Sequence, residues 1–218
     1  FTNASFFMTI SAILILSLLF FGTKKKSLIP SKIQLITEIS YTFIAKMIND
    51  TAGSSARAFF PFVFTLFMFV LFCNMVGMLP YSFTVTSQII VTFVLAATIF
   101  VGVTIIGFIK HGIKYLELFV PKGVPIVLLP LIIVIEIISY LARPVSLSVR
   151  LFANMLAGHT MLKVFGGFVI SLGLLGGWLP LSFSVALTGL EILVAFLQAY
   201  VFAILTCIYL NDALNLHH

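Results

Sequence analysis

AFFPFVFTLFMFVLFCNMVGMLPYSFTVTSQIIVTFVLAATIFVGVTIIGFI, Ala58 to Ile109, carries no formal charge, and its reading decides the fold class. A helix needs about 20 apolar residues to cross the hydrocarbon core of a bilayer. The polar, turn-prone segment Pro80 to Gln88 divides the run into two such spans, at 59–79 and 89–109. Working outward, a shorter apolar run at 4–22 forms a first span, and two long stretches follow at 124–168 and 181–210. Between these last two lies GGFVISLGLLGGWLP, whose glycines and Pro180 predict a hairpin bend. Unbroken apolar runs favour helices over a membrane β-barrel, whose strands alternate apolar and polar residues. The expectation is an all-α integral membrane protein: a single membrane domain over 1–218 with five crossings, the last two forming a long hairpin.

Composition excludes other classes. Hydrophobic residues make up 61% of the chain and charged residues 8%, where a soluble domain has roughly 45–50% and 25%. With 24 Phe, the chain is equally unlike a disordered one. The net charge of +6 is read as topology and lipid contact and not as a nucleic-acid footprint. Basic residues cluster after the first span (Lys24, Lys25, Lys26, Lys32, Lys46, Arg57) and after the third (Lys110, Lys114, Lys122), and are missing from Pro80 to Gln88 and from Gly166 to Pro180. By the positive-inside rule this puts the N-terminus outside and the C-terminus inside. Because the first cluster follows its apolar run, that run reads as an anchor and not as a signal peptide. A start at Phe1 instead of Met is expected to reflect processing or an incomplete beginning.

Between 31 and 49, Ile33, Ile36, Phe43, Ile44 and Met47 fall on one helical face, with Gln34, Glu38, Thr42, Lys46 and Asn49 opposite. That pattern predicts an amphipathic helix on the inner membrane surface, with packing against another subunit as the alternative. Cys73 and Cys207 sit in apolar runs without CxxC spacing and read as small core residues.

Charged groups inside spans are costly and are functional candidates by default. At 100° per residue, Glu136, Ser139, Arg143, Ser146 and Asn154 all fall within about 40° of Arg150, whereas His159 projects from the opposite side. A seam that only glues helices is enough for the serines. A permanently charged Arg150 without an acid one turn away needs water or a partner. In an antiparallel hairpin, His159 shares a level with Glu191, Arg150 with Gln198, and Glu136 with Asp212. Titratable pairs on either side of a fixed cation suit proton entry by one aqueous route and exit by another.

At RLFANMLAGH, Arg150 to His159, the chain resembles subunit a of F-type ATP synthases. RPVSLSVR, LTGLEILVAFLQAY, CNMVGMLPYSFTVTS, GVPIVLLPLIIVIEIISY and the ending YLNDALNLHH agree with it, so the resemblance covers essentially the whole chain. It implies a stator subunit beside a rotating ring of c subunits, each with one essential carboxylate, together with peripheral-stalk and other Fo subunits and membrane lipid. By this resemblance Arg150 is the arginine facing that carboxylate, with Asn154 and Gln198 as its polar neighbours. His159 and Glu191 are the outer half-channel, and Glu136 and Asp212 its inner counterpart. Many bacterial members carry the outer pair reversed, so the order here and the ending resemble the mitochondrial type. The implied location is the mitochondrial inner membrane, the alternative a bacterial plasma membrane. The resemblance also implies a steeply tilted last hairpin.

No phosphate-binding motif such as GxxxxGK[ST] is present, so ATP chemistry is expected elsewhere and this chain is read as non-catalytic, without cofactor or nucleic-acid partner. His159 and Glu191 supply at most two metal ligands, a weak zinc signal. A secondary transporter, another membrane proton-conducting subunit and a purely structural subunit are the competing readings. The first would call for repeat symmetry, and none is detected.

Overall fold

The computed structural model describes residues 2–24, 30–79, 82–119 and 128–214. Lys25, Lys26, Pro80, Lys122, His217, His218 and the expected start of the fourth span at 124–127 lie outside the described residues. Among the described residues, six long helices make up the fold: α1 (Asn3–Lys24), α2 (Lys32–Ala52), α3 (Phe60–Gly77), α4 (Ile89–His111), α5 (Leu129–Gly176) and α6 (Trp178–Leu214). Short 3-10 turns occupy Ser54–Phe59, Val85–Ser87 and Gly112–Phe119. Five segments among the described residues are long and apolar enough to cross a membrane: Asn3–Lys24, Ala56–Gly77, Ile89–Leu116, Leu129–Gly173 and Trp178–Leu214.

Local chemistry sets the helix ends. The Ser31 hydroxyl accepts from the Gln34 amide at 3.4 Å and caps α2, while Pro at the first turn starts α3 and α5. Gly173 adopts φ 61°, ψ −161°, which a residue with a Cβ rarely reaches, and there the helical path of α5 breaks. The hairpin bend is therefore confined to about residues 173–177 instead of spreading over 166–180, and both arms are longer than the expected 124–168 and 181–210 suggest at their outer ends. From Leu129 to Gly173 the 45 residues span about 68 Å, so α5 fits a ~30 Å core only if strongly inclined.

α6 is the hub. It packs along α5, α3, α2 and α4, with Ala195, Ala199, Ala203 and Cys207 recurring every fourth residue and wholly buried. Small side chains at that spacing let neighbouring backbones approach, which is how helices associate where lipid removes the hydrophobic drive between them. Phe202, Phe67, Met68, Ile44 and Ile48 fill the space on the α2/α3 side, and Leu147 and Leu151 fill that on the α5 side. Cys73 and Cys207 are buried free thiols.

The helix α2 forms over the expected range and packs against α1, α3 and α6. Ile44 and Met47 of the apolar face are buried and Ile33, Ile36 and Phe43 exposed, while Gln34 of the polar face and Thr37 are buried as well. For Thr37 the reason lies in α1: at Gly22 an added Cβ would meet Thr37 Oγ1 at 2.3 Å, so the absent side chain admits Thr37. The Thr37 hydroxyl is satisfied by the Ile33 carbonyl at 3.1 Å, and Gln34 by Glu38 at 2.8 Å. Locally satisfied polar groups can pack inward at little cost, so α2 docks on α1, α3 and α6 within its own chain.

Candidate proton-conducting site

The polar stripe of α5 lies along the edge of the hairpin and not inside the bundle. Ser139, Ser146, Arg150 and Asn154 are exposed and Glu136 and Arg143 half-buried, while Pro144, Leu147, Ser148 and Leu151 turn into the core. Ser148 meets Thr92 of α4 at 3.4 Å. From this edge two residues reach across to α6: Asn154 Nδ2 donates to Gln198 Oε1 at 2.9 Å, and Arg143 Nη1 lies 3.3 Å from Asp212 Oδ2. Arg150 has no hydrogen bond or ion pair among the described residues, and its neighbours one turn away on the same face, Ser146, Ala153 and Asn154, are exposed with it.

His159 leaves α5 on the other side, as its half-turn offset requires, and meets Glu191, whose Oε1 is 3.1 Å from His159 Nδ1. Glu191 is only 4% exposed. The approach is close but off the hydrogen-bond line, so Oε1 is ion-paired to the ring without a well-aligned hydrogen bond. At the far nitrogen, Nε2, the ring meets Thr84 Oγ1 from the segment after α3. The Thr84 hydroxyl proton is already given to the Gly77 carbonyl at 3.0 Å, so toward the ring its oxygen accepts and Nε2 carries a hydrogen. Two protonation states then fit the same frame: an imidazolium beside a carboxylate, or a neutral ring whose bare Nδ1 faces a protonated Glu191. They differ by one proton moved across 3.1 Å.

This pair lines a cavity of about 540 Å³ whose wall also includes Ser82, Thr84, Thr160, Lys163 and Thr188. Hydroxyls and charges of this kind hold water. Lys163 is exposed at this wall. A second cavity, about 590 Å³ among Leu18, Ile36, Met68 and Phe196, is almost wholly apolar and has no titratable lining. It lies apart from the chemistry. No third His, Cys, Asp or Glu joins His159 and Glu191 into a metal-holding group among the described residues.

From Glu191 toward Gln198, one face of α6 carries orphaned polar atoms. Glu191 Oε1 and Gln198 Nε2 are buried without a hydrogen-bond partner, and so is Asn74 Oδ1 on α3, whose Nδ2 donates to the Ala195 carbonyl between them at 3.1 Å. Sequence reading missed Asn74 and Thr84; a buried Asn in an otherwise apolar span was the available signal for the first. At the opposite end Asp212 is ion-paired to Arg143. Glu136 has no hydrogen bond or ion pair among the described residues.

A family model described as the ATP synthase A chain matches residues 5–211. A curated relative named ATP synthase subunit a from Pelagibacter ubique is 78% identical over 218 residues, covering 100% of this chain and 89% of its own. Proteins of the same name from Rhizobium rhizogenes (61% over 221 residues, 99% of this chain and 88% of theirs) and Chelativorans sp. (59% over 224 residues, 100% and 90%) are also similar. These relatives are bacterial, which turns the expected mitochondrial type toward its alternative. On a match that takes in the hairpin, its arginine and both polar ends, the chain belongs to the family of ATP synthase subunit a, the proton-channel stator subunit of the Fo membrane sector.

Proposed function

We propose that this chain conducts protons through two offset half-channels, to and from carboxylates on a c-subunit ring that runs past α5, and performs no ATP chemistry itself. One observation carries the reading: Arg150, within a span and exposed on the polar stripe between Ser146 and Asn154, makes no hydrogen bond or ion pair among the described residues. A guanidinium facing lipid is costly, so this face calls for an acidic surface supplied by another subunit. His159 and Glu191, with the cavity beside them, serve the outer route. Asn154 and Gln198 support the approach to Arg150, and Glu136, near Arg143 and Asp212, serves the inner route. Peripheral-stalk and other Fo subunits complete the stator, in a bacterial plasma membrane.

Reciprocal exchange of the outer pair tests this. His159→Glu or Glu191→His alone leaves two like groups that share the site poorly in their charged forms, and each abolishes ATP-driven acidification of vesicles holding equal amounts of assembled complex. The double exchange recovers part of it. A double variant no better than the worse single one would remove the pair from the route.

A further inference from the structure

The inner end holds an arrangement that the half-channel reading does not use. Arg143 is clamped: its guanidinium carbon lies 5.3 Å from the ring centre of Tyr140 and 5.1 Å from that of Tyr209, within the ~6 Å reach of cation–π attraction. Tyr140 is itself fixed, its hydroxyl 2.7 Å from Thr104 Oγ1 and 2.9 Å from Tyr115 Oη. Tyr115 is 2% exposed and lies so close over Gly107 that a Cβ there would meet its ring at 2.3 Å. Helices α4, α5 and α6 all contribute to this cage, and the void inside it is about 10 Å³, the lower end of what one water needs. The clamped cation holds Asp212 at 3.3 Å. Two residues on, the Leu214 carbonyl at the end of α6 receives Lys110 Nζ at 2.9 Å and faces His111 Nε2 at 3.2 Å. Basic groups thus gather where the α6 dipole is negative.

We propose that Arg143 is a positioning residue, and that the tyrosine-clamped Arg143–Asp212 pair locks the inner end of α6 to α5 as a fixed counter-charge, leaving proton exchange on this side to Glu136. The proposal rests on the half-channel reading and divides its two inner carboxylates by role. Arginine does not release its proton, so a carboxylate committed to it has a permanent partner. Glu136, two turns away on the same face, is half-buried without one among the described residues. Both side chains of the pair keep some exposure, 24% and 32%, so the clamp and not burial holds the geometry.

The test is a charge cycle measured as ATP-driven acidification of vesicles, normalised to assembled complex. Arg143→Gln leaves the Asp212 carboxylate charged and without the cation that positions it, so pumping falls about tenfold, while Arg143→Gln with Asp212→Asn, which removes that charge too, returns to within about threefold of the parent. Arg143→Lys, which keeps the charge and loses the fork, stays well above Arg143→Gln. A double variant as slow as Arg143→Gln or slower would make Asp212 a relay and overturn the proposal, as would Arg143→Lys falling to the level of Arg143→Gln. Glu136→Gln, run in parallel, separates the two ideas: full pumping by that variant contradicts the inner half-channel, whatever the cycle reports.

Discussion

The carboxylate of Glu191 lies directly over Gly158, where a Cβ would stand 2.8 Å from Oε1 and 3.0 Å from Cδ. The acid of α6 therefore occupies the space that a side chain on α5 would take, one residue before the histidine it serves. A hydrogen at Gly158 is part of the geometry of the outer pair.

Gly158→Ala is expected to push the Glu191 carboxylate off its 3.1 Å approach to His159. Misplacement on this scale is severe for proton transfer, so pumping should fall about tenfold at normal assembly. Gly102→Ala, where a Cβ meets nothing within 4 Å, is the matched control and should pump like the parent. Equal rates for the two variants would mean that the contact at Gly158 has no part in transfer.

Thr84 fixes the histidine tautomer through its hydroxyl oxygen, so Thr84→Val, which keeps the shape and removes the acceptor, should slow pumping several-fold. Thr84→Ser should restore most of the rate. If Val and Ser variants are equally impaired, the methyl group and not the hydrogen bond matters, and the proton assignment at Nε2 fails.

Much of this site was legible because helical periodicity is rigid: the stripe through Arg150, the opposite projection of His159 and the level shared by His159 and Glu191 all follow from 100° and 1.5 Å per residue. A shared level does not fix the contact toward the inner end. Gln198 meets Asn154 and not Arg150, and Asp212 meets Arg143 two turns beyond Glu136. Helical side chains lean toward their own N-terminus, so in an antiparallel pair a long side chain on α5 reaches a later residue of α6 than its Cα level indicates, and Arg143 reaches furthest. Thr84 and the cage of Tyr115, Tyr140 and Tyr209 were not legible, since each depends on segments far apart in sequence meeting in space. The burial of Thr37 turned on one glycine, Gly22, in another helix.

Arg150 is the centre of the account, and its substitution is the most direct measurement. Vesicles with equal amounts of assembled complex are prepared with Arg150→Ala and Arg150→Lys, and ATP-driven acidification is followed alongside passive proton conduction after removal of the catalytic head. The account predicts no pumping with alanine, severe impairment with lysine because an ammonium lacks the planar fork, and passive conduction in the alanine variant because nothing then separates the two routes. Normal pumping by the alanine variant would contradict it.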